Sequence, residues 1–393
     1  MSVITEFLTE LRKTTESTSF LDSTLGEPMD YISTGSYAIN RIISGSFFKG
    51  FPSNRVILIG GISQTGKTLL ATLTIANAFK ENHFDMAFVF DSEAGVSKQL
   101  FASLGVPLDK VEYVVVRSVE DCATKILKMY DIIAKIKKEN PEFKCIAMLD
   151  SLGALITRKT FVDMSASDQK VDQGLRARMV NDFSNSVCIP ALETNCSLIV
   201  LNHVYEGPGE KYPAKIRPQS GGKGIQYVNR LALQCTRSMD RNVDKEAEDV
   251  YQKTKLKFFT IKNGAIVPFL ETEVELDFKK GFVSPYTGLL SLAIKYGFVK
   301  EVTSQSVIIP SYEKGKKVKN KNLMYSDKSD EIWKTFIKEL DEKQSKEIQY
   351  SSFLDDTPIA AASLGEEGKE EQDDRHDQST TGSITAKGNI ELI

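Results

Sequence analysis

Gly61-Ile62-Ser63-Gln64-Thr65-Gly66-Lys67-Thr68 decides the reading of this 393-residue chain. The octet follows the apolar run 56–60 and leads into a helical segment, the setting in which G-x-x-x-x-G-K-T becomes a phosphate cradle. Its glycines let backbone N–H groups close on phosphate oxygens, and the positive end of the helix adds a favourable field. Lys67 is placed to reach the outer phosphates, and the Thr68 hydroxyl to ligate Mg²⁺. Gly61, Ile62, Ser63, Gln64, Thr65 and Gly66 complete the expected nucleotide loop, with ATP and Mg²⁺ as its implied ligands. A plain glycine turn would require neither the lysine nor these flanks.

Outward from the loop, residues 55–283 alternate short buried-strand runs with longer helical segments. Strands are expected over 56–59, 86–91, 113–116, 145–150, 198–202, 231–235, 256–262 and 272–278, and helices over 67–81, 119–138 and 176–192. That alternation predicts an α/β fold of βαβ units around a mainly parallel twisted sheet. The last three strands follow one another without a helix, which predicts an antiparallel extension. The organisation reads as an N-terminal arm (1–28) with a short helical stretch at 6–13, a core (29–284), a small C-terminal domain (285–354) and an acidic tail (355–393). In the C-terminal domain, helices are expected at 289–296 and 329–346, joined by the basic stretch 314–321. Beyond residue 357 the composition is small, polar and acidic, as in disordered segments.

Composition narrows the class. With 41% hydrophobic residues the chain can bury a large core. No apolar run approaches the ~20 residues of a membrane span, and Met1-Ser2-Val3-Ile4-Thr5-Glu6 lacks the basic start of a signal peptide, so a cytoplasmic protein with no membrane partner is expected. Cys122, Cys145, Cys188, Cys196 and Cys235 are odd in number and without metal-type spacing, which reads as reduced structural thiols. Net charge is −3, but the tail from Asp355 carries ten acids against three bases, leaving a mildly basic body. Such a body is compatible with a phosphate backbone as partner.

The remaining chemistry sits at strand ends. Cys145-Ile146-Ala147-Met148-Leu149-Asp150 ends in a carboxylate suited to organise Mg²⁺ with Thr68; in isolation Asp150 would equally suit a helix cap. Phe90-Asp91-Ser92-Glu93 brings a second carboxylate to the same sheet edge, where Glu93 is the candidate base for an attacking water and Asp91 a support for the loop; both would also suit caps. Asn202-His203 ends another strand there, and His203 could touch a γ-phosphate or be structural. The glycine- and proline-rich stretch 204–224 carries Lys211, Lys215, Arg217 and Lys223 with two interleaved tyrosines, a mixture that suits single-stranded nucleic acid. A second candidate, 157–178, carries Arg158, Lys159, Lys170, Arg176 and Arg178. Either could also be a solvated loop with incidental charge.

The order of these motifs resembles the RecA-family recombinases, most closely their bacteriophage UvsX type, over residues 29–298. The resemblance rests on Ser33-Thr34-Gly35-Ser36, the nucleotide loop, Phe90-Asp91-Ser92-Glu93, Ser103-Leu104-Gly105-Val106, Leu149-Asp150-Ser151-Leu152, Gly174-Leu175-Arg176-Ala177-Arg178-Met179, Leu201-Asn202-His203 and Ser220-Gly221-Gly222-Lys223. Pro285-Tyr286-Thr287-Gly288-Leu289-Leu290 is particularly similar to the phage type. The resemblance implies a RecA-like ATPase core in which Glu93 activates water and His203 senses the γ-phosphate. It also implies that the loops after Leu155 and after His203 bind DNA, and that ATP lies between neighbouring subunits of a helical filament. Two positions depart from the family. Lys262-Asn263-Gly264 keeps only Lys262 where bacterial relatives have two lysines reaching the neighbour's ATP, and Leu100 stands where relatives stack a tyrosine on adenine.

These implications describe a DNA-dependent ATPase that binds single-stranded DNA, pairs it with a homologous duplex and exchanges strands in recombination, repair and recombination-dependent replication. Its expected partners are its own copies, a single-strand-binding protein and a loading mediator. A hexameric helicase on the same core, or a nucleotide-switched scaffold without catalysis, are the competing readings.

Overall fold

The computed structural model of the chain describes residues 3–15, 28–165, 173–205, 219–222, 225, 229–237, 253–277 and 281–349. A short antiparallel pair, β1 (Tyr31–Ile32) and β2 (Phe51–Pro52), precedes the main sheet. Six strands of that sheet run parallel: β3 (Val56–Gly61), β4 (Met86–Asp91), β5 (Val111–Val115), β6 (Cys145–Asp150), β7 (Leu198–Asn202) and β8 (Leu231–Arg237). The antiparallel strands β9 (Lys253–Asn263), β10 (Glu271–Asp277) and β11 (Gly281–Phe282) extend it, giving the order β11-β10-β9-β8-β3-β7-β6-β4-β5. The expected α/β fold and its antiparallel extension are therefore present.

The central strands are apolar on both faces because both are covered. In β6, Ile146 and Met148 face one core cluster, while Cys145, Ala147 and Leu149 face the other. Each fully buried aliphatic side chain in these clusters contributes about 1.5–3 kcal/mol by burial. Chain order gives α1 (Val3–Thr15), α2 (Tyr37–Ser44), α3 (Lys67–Asn82), α4 (Lys98–Ser103), α5 (Val119–Glu139), α6 (Arg158–Ser165) and α7 (Gln173–Glu193). Residues of α2 and α3 pack in the first cluster, and those of α5 and α7 in the second. Helix α5 shows why such a segment folds as it does. Ser118 caps it by accepting from the Asp121 N–H at 3.1 Å, Glu120 and Asp121 meet the positive end of its dipole, and Cys122, Ile126, Met129, Tyr130 and Ile133 form the buried stripe.

Parallel pairing sets the C-terminal ends of β3, β4, β6 and β7 along one edge, with Asp91 in register with Asp150 and Gly60 with Asn202. Strand β3 sits between β7 and β8, so its chain connections leave to different parts of the sheet, and a ligand crevice forms at such a switch point.

The region after residue 284 differs in detail from expectation. The structure has a three-stranded antiparallel sheet, β12 (Lys300–Thr303), β13 (Ser306–Ile308) and β14 (Lys317–Lys319), so the basic stretch 314–321 is partly strand rather than a plain connector. The helix expected over 329–346 is two helices, Ser329–Lys334 and Ile337–Ile348. The break lets Phe336 turn inward, where it lies 5.0 Å from Trp333 and 5.8 Å from Phe298 between ring centroids. Trp333, fully buried, stacks on Tyr286 at 5.1 Å, and these rings belong to the same core cluster as α2 and α3.

Helix α1 leaves Ile4, Phe7, Leu8 and Leu11 exposed at the spacing of one helical face. All five cysteines are free thiols. Among the described residues no helix is long and apolar enough to cross a membrane.

Candidate functional site

The loop after β3 turns sharply into α3. Gly66 adopts φ 79°, and a Cβ there would stand 2.6 Å from Leu256 Cδ1, so neither the backbone conformation nor the space admits a side chain. Lys67 is buried, and its Nζ donates to the carbonyls of Gly61 at 2.9 Å and Ile62 at 2.8 Å. Burial lowers the ammonium from its ordinary pKa, with Asp150 and Glu93 acting in the opposite direction. Thr65 Oγ1 closes the loop on the Ile62 carbonyl at 2.9 Å.

The strand ends deliver the other groups to the same cleft. Thr68 Oγ1 donates to Asp150 Oδ2 at 2.8 Å. Burial raises the Asp150 pKa, and the Thr68 hydrogen bond opposes that rise. Glu93 Oε1 accepts from Ser151 Oγ at 2.5 Å and lies 3.0 Å from His203 Nε2. The Ser151 hydrogen bond is the largest influence holding Glu93 below the usual carboxylate range, with His203 and Lys67 acting in the same direction against burial. Asp91, almost fully buried, accepts from the Glu93 N–H at 2.8 Å, the Val96 N–H at 3.0 Å and the Tyr113 hydroxyl at 3.0 Å. Asp91 therefore holds the loop that aims Glu93.

These side chains surround a cleft of about 300 Å³ whose walls include residues 63–68, Asp91, Glu93, Leu100, Asp150 and His203. Gly61 and Ile62 enter the geometry as the carbonyls that receive Lys67. Among the described residues Lys67 is the one lysine or arginine in this lining, facing three carboxylates. A hydroxyl beside a carboxylate is a donor set that suits a hard divalent cation completed by phosphate oxygens and water. Among the described residues there is no cluster of three or more His, Cys, Asp or Glu that could hold a metal ion by itself.

His203 is tied to the segment that follows. Asn202 Nδ2 donates to Gln219 Oε1 at 3.0 Å and to the Ser220 carbonyl at 2.9 Å. The Ser220 N–H donates to the His203 carbonyl at 2.8 Å, and Val204 bridges to Gln219. Arg176 was expected to face DNA, but its guanidinium turns inward: Nε donates to the Leu155 carbonyl at 2.8 Å, and Nη2 to Gly153 at 2.9 Å and Ser220 Oγ at 3.0 Å. It links α7 to the turn after β6 and to the segment after His203. Arg158 and Lys159, at the start of α6, are exposed, as is Arg178, whose Asp182 partner lies 3.8 Å away. Lys170, Lys211, Lys215, Arg217 and Lys223 lie outside the described residues.

Lys262 is not brought to this cleft. It pairs with Ala232 near the start of β8, at the sheet edge opposite the nucleotide loop. Sequence reasoning assigned no role to Ser151 or Gln219. Ser151 stands in the quoted Leu149-Asp150-Ser151-Leu152 motif, a position that could have drawn notice; nothing local marks Gln219.

The family model for the RecA N-terminal domain matches residues 4–283. Among curated proteins, the chain is 26% identical over 273 residues to Protein RecA of Mycoplasmopsis pulmonis, covering 70% of this chain and 74% of that one. It is 25% identical over 275 residues to Protein RecA of Streptomyces venezuelae, covering 70% and 67%. Protein RecA of Thermus thermophilus is 26% identical over 279 residues, covering 71% and 75%.

Proposed function

This chain belongs to the RecA family of recombinases, and on that premise we propose that it hydrolyses ATP while assembled as a helical filament on single-stranded DNA, pairing that strand with a homologous duplex and exchanging partners. The observation that carries this reading is the convergence of Lys67, Thr68, Asp150, Glu93 and His203, from four separate strand ends, on one cleft.

In this reading residues 61–68 cradle the phosphates, and Lys67 leaves its loop carbonyls for the outer phosphate oxygens. Thr68 and Asp150 hold Mg²⁺, which when bound neutralises charge developing on those oxygens. Leu100 packs against the base. Glu93, kept ionised chiefly by Ser151, accepts the proton of the attacking water. His203 contacts the γ-phosphate, and its links through Ser220 and Gln219 carry the presence or loss of that phosphate to the DNA-binding segment, a switch in the order of a loop. Arg158, Lys159, Arg178, Lys170, Lys211, Lys215, Arg217 and Lys223 contact the DNA, while Arg176 braces the segments that carry them. Lys262 reaches the nucleotide of an adjacent copy, and the uncovered face of α1 serves as the arm of subunit contact. The UvsX-type motifs point to a phage recombinase acting in recombination, repair and recombination-dependent replication in the host cytoplasm, with a single-strand-binding protein and a loading mediator as partners and the acidic tail moderating duplex binding.

The test is joint-molecule formation between single-stranded DNA and a supercoiled duplex with ATP and Mg²⁺, using homologous and heterologous sequence. Homology-dependent product that is lost in Lys67→Ala supports the reading. DNA-stimulated turnover without homologous pairing transfers it to a ring helicase, and absence of turnover to a scaffold.

A further inference from the structure

A buried amide lies against the start of the nucleotide loop. Gln219 is 5% exposed, and a Cβ at Gly60 would stand 2.1 Å from its Nε2 and 2.8 Å from its Oε1. The amide therefore fills the place of a side chain at position 60, the last residue before the octet 61–68. Any larger residue there would expel it. Gly60 also stands in register with Asn202, whose Nδ2 donates to Gln219 Oε1 at 3.0 Å. One side chain thus touches β3 just before the phosphate loop and β7 just before His203.

That junction is incompletely paired. Asn202 Nδ2 has two acceptors and Gln219 Oε1 has a donor. Among the described residues nothing pairs with Gln219 Nε2 or with Asn202 Oδ1, although both atoms are buried. A donor and an acceptor buried without partners are unfavourable, and such groups in a folded protein call for an explanation in function.

The nucleotide loop offers one. Lys67 Nζ now donates to the carbonyls of Gly61 at 2.9 Å and Ile62 at 2.8 Å. Those carbonyls lose their donor when the lysine turns to phosphate oxygens. Gly61 directly follows the residue on which the amide lies, one strand rise of about 3.3 Å further along. We infer that Gln219 is a positioning residue that reads the phosphate loop itself: its Nε2 takes up a loop carbonyl released by Lys67 and draws the segment ending at Gln219 into the arrangement that binds DNA. This line is separate from that of His203, which reaches the same segment through the Ser220 N–H on its own carbonyl. It rests on the ATP-dependent DNA-binding reading above and adds to it a second line of communication between the two ligands.

The test measures coupling rather than turnover. Binding of the full-length chain to fluorescein-labelled oligothymidylate is followed by anisotropy, without nucleotide and with imido-ATP and Mg²⁺, and the ratio of the two affinities is the coupling. By linkage the same factor appears in the affinity for imido-ATP with and without DNA. Gln219→Met keeps the volume and removes the amide, and its coupling falls about tenfold from wild type. Gly60→Ala displaces the amide from the other side and lowers the coupling likewise. Where Gln219→Met melts early, Gln219→Asn, which holds its amide one methylene short of Gly60, gives the same loss. A side chain that only fills space would change both DNA affinities together and leave their ratio alone, so wild-type coupling in these folded variants overturns the inference. His203→Ala combined with Gln219→Met loses more coupling than His203→Ala alone; equal losses make Gln219 a mere relay of His203 and overturn it too. Absence of coupling in the wild-type chain removes the ATP-dependent DNA-binding reading itself, and the inference with it.

Discussion

Gly153→Ala tests the link between Glu93 and His203 without substituting either residue. Gly153 lies in the 3-10 turn Leu152–Ala154 just after β6, where a Cβ would stand 2.6 Å from His203 Cδ2, 3.1 Å from the His203 backbone nitrogen and 3.2 Å from Asn202 Oδ1. Carbon atoms in contact settle at about 3.5–4.0 Å, so the imidazole must withdraw by about 1 Å. His203 Nε2 lies 3.0 Å from Glu93 Oε1, and that withdrawal carries the pair toward 4 Å, beyond hydrogen-bonding range. Losing one such bond between partly exposed groups costs about 1 kcal/mol, roughly a five- to tenfold fall in kcat if the contact aims the base in the transition state. Lys67 and Thr68 lie on another element, so the KM for ATP stays near wild type. The assay is steady-state turnover with saturating single-stranded DNA, alongside a thermal melt to establish folding. A folded Gly153→Ala protein with wild-type kcat would refute the idea that the His203–Glu93 contact positions the base.

Ser151→Ala removes the largest influence that lowers the Glu93 pKa, so the carboxyl titrates at higher pH. The base acts as a carboxylate and activity falls as pH drops through its pKa, so the acid limb of the turnover profile moves to higher pH; a stationary limb counts against Glu93 as the base. Trp333→Ala leaves a cavity among Tyr286, Phe336 and the Leu323 carbonyl that receives the indole N–H at 2.9 Å, and should cost about 3–5 kcal/mol in calorimetry; a loss under 1 kcal/mol contradicts the packing. Arg158→Ala and Lys159→Ala should each reduce the salt dependence of DNA binding by about one unit of slope, whereas Arg176→Ala should weaken binding with the slope unchanged. A slope change for Arg176→Ala would mean that it reaches phosphate after all.

Much of the sheet could be read directly because its strands are buried on both faces. Val56–Gly61, Cys145–Asp150 and Leu198–Asn202 are apolar runs ended by glycine or a polar residue, a boundary that needs no tertiary information. The same boundaries exposed Asp150, Glu93 and His203 as candidates, since strand ends on one sheet edge must be neighbours. The strands Lys300–Thr303 and Lys317–Lys319 escaped because they are short, largely exposed and charged, and carry neither periodicity nor propensity. Ser151 and Gln219 escaped for a different reason: a small hydroxyl or an amide acquires its partner only when two strand ends approach. Arg176 shows the converse limit, because a positive charge in the first turn of a helix does not say whether it points to solvent or to carbonyls.

The bridge between Val204 and Gln219, with the Ser220 N–H on the His203 carbonyl, fastens both ends of the intervening stretch to the same strand end. Residues added or removed between those fastenings change the closure entropy slowly, by about 0.6 kcal/mol for each doubling of length. The position of the imidazole at 203 is thereby set by the two fastenings and not by the length of chain between them. That stretch can diverge, or be exchanged for one of another length, while His203 stays in register with Glu93. A chimaera that transplants residues 205–218 as a cassette, leaving Gln219 and Ser220 in place, is the engineering counterpart of that arrangement.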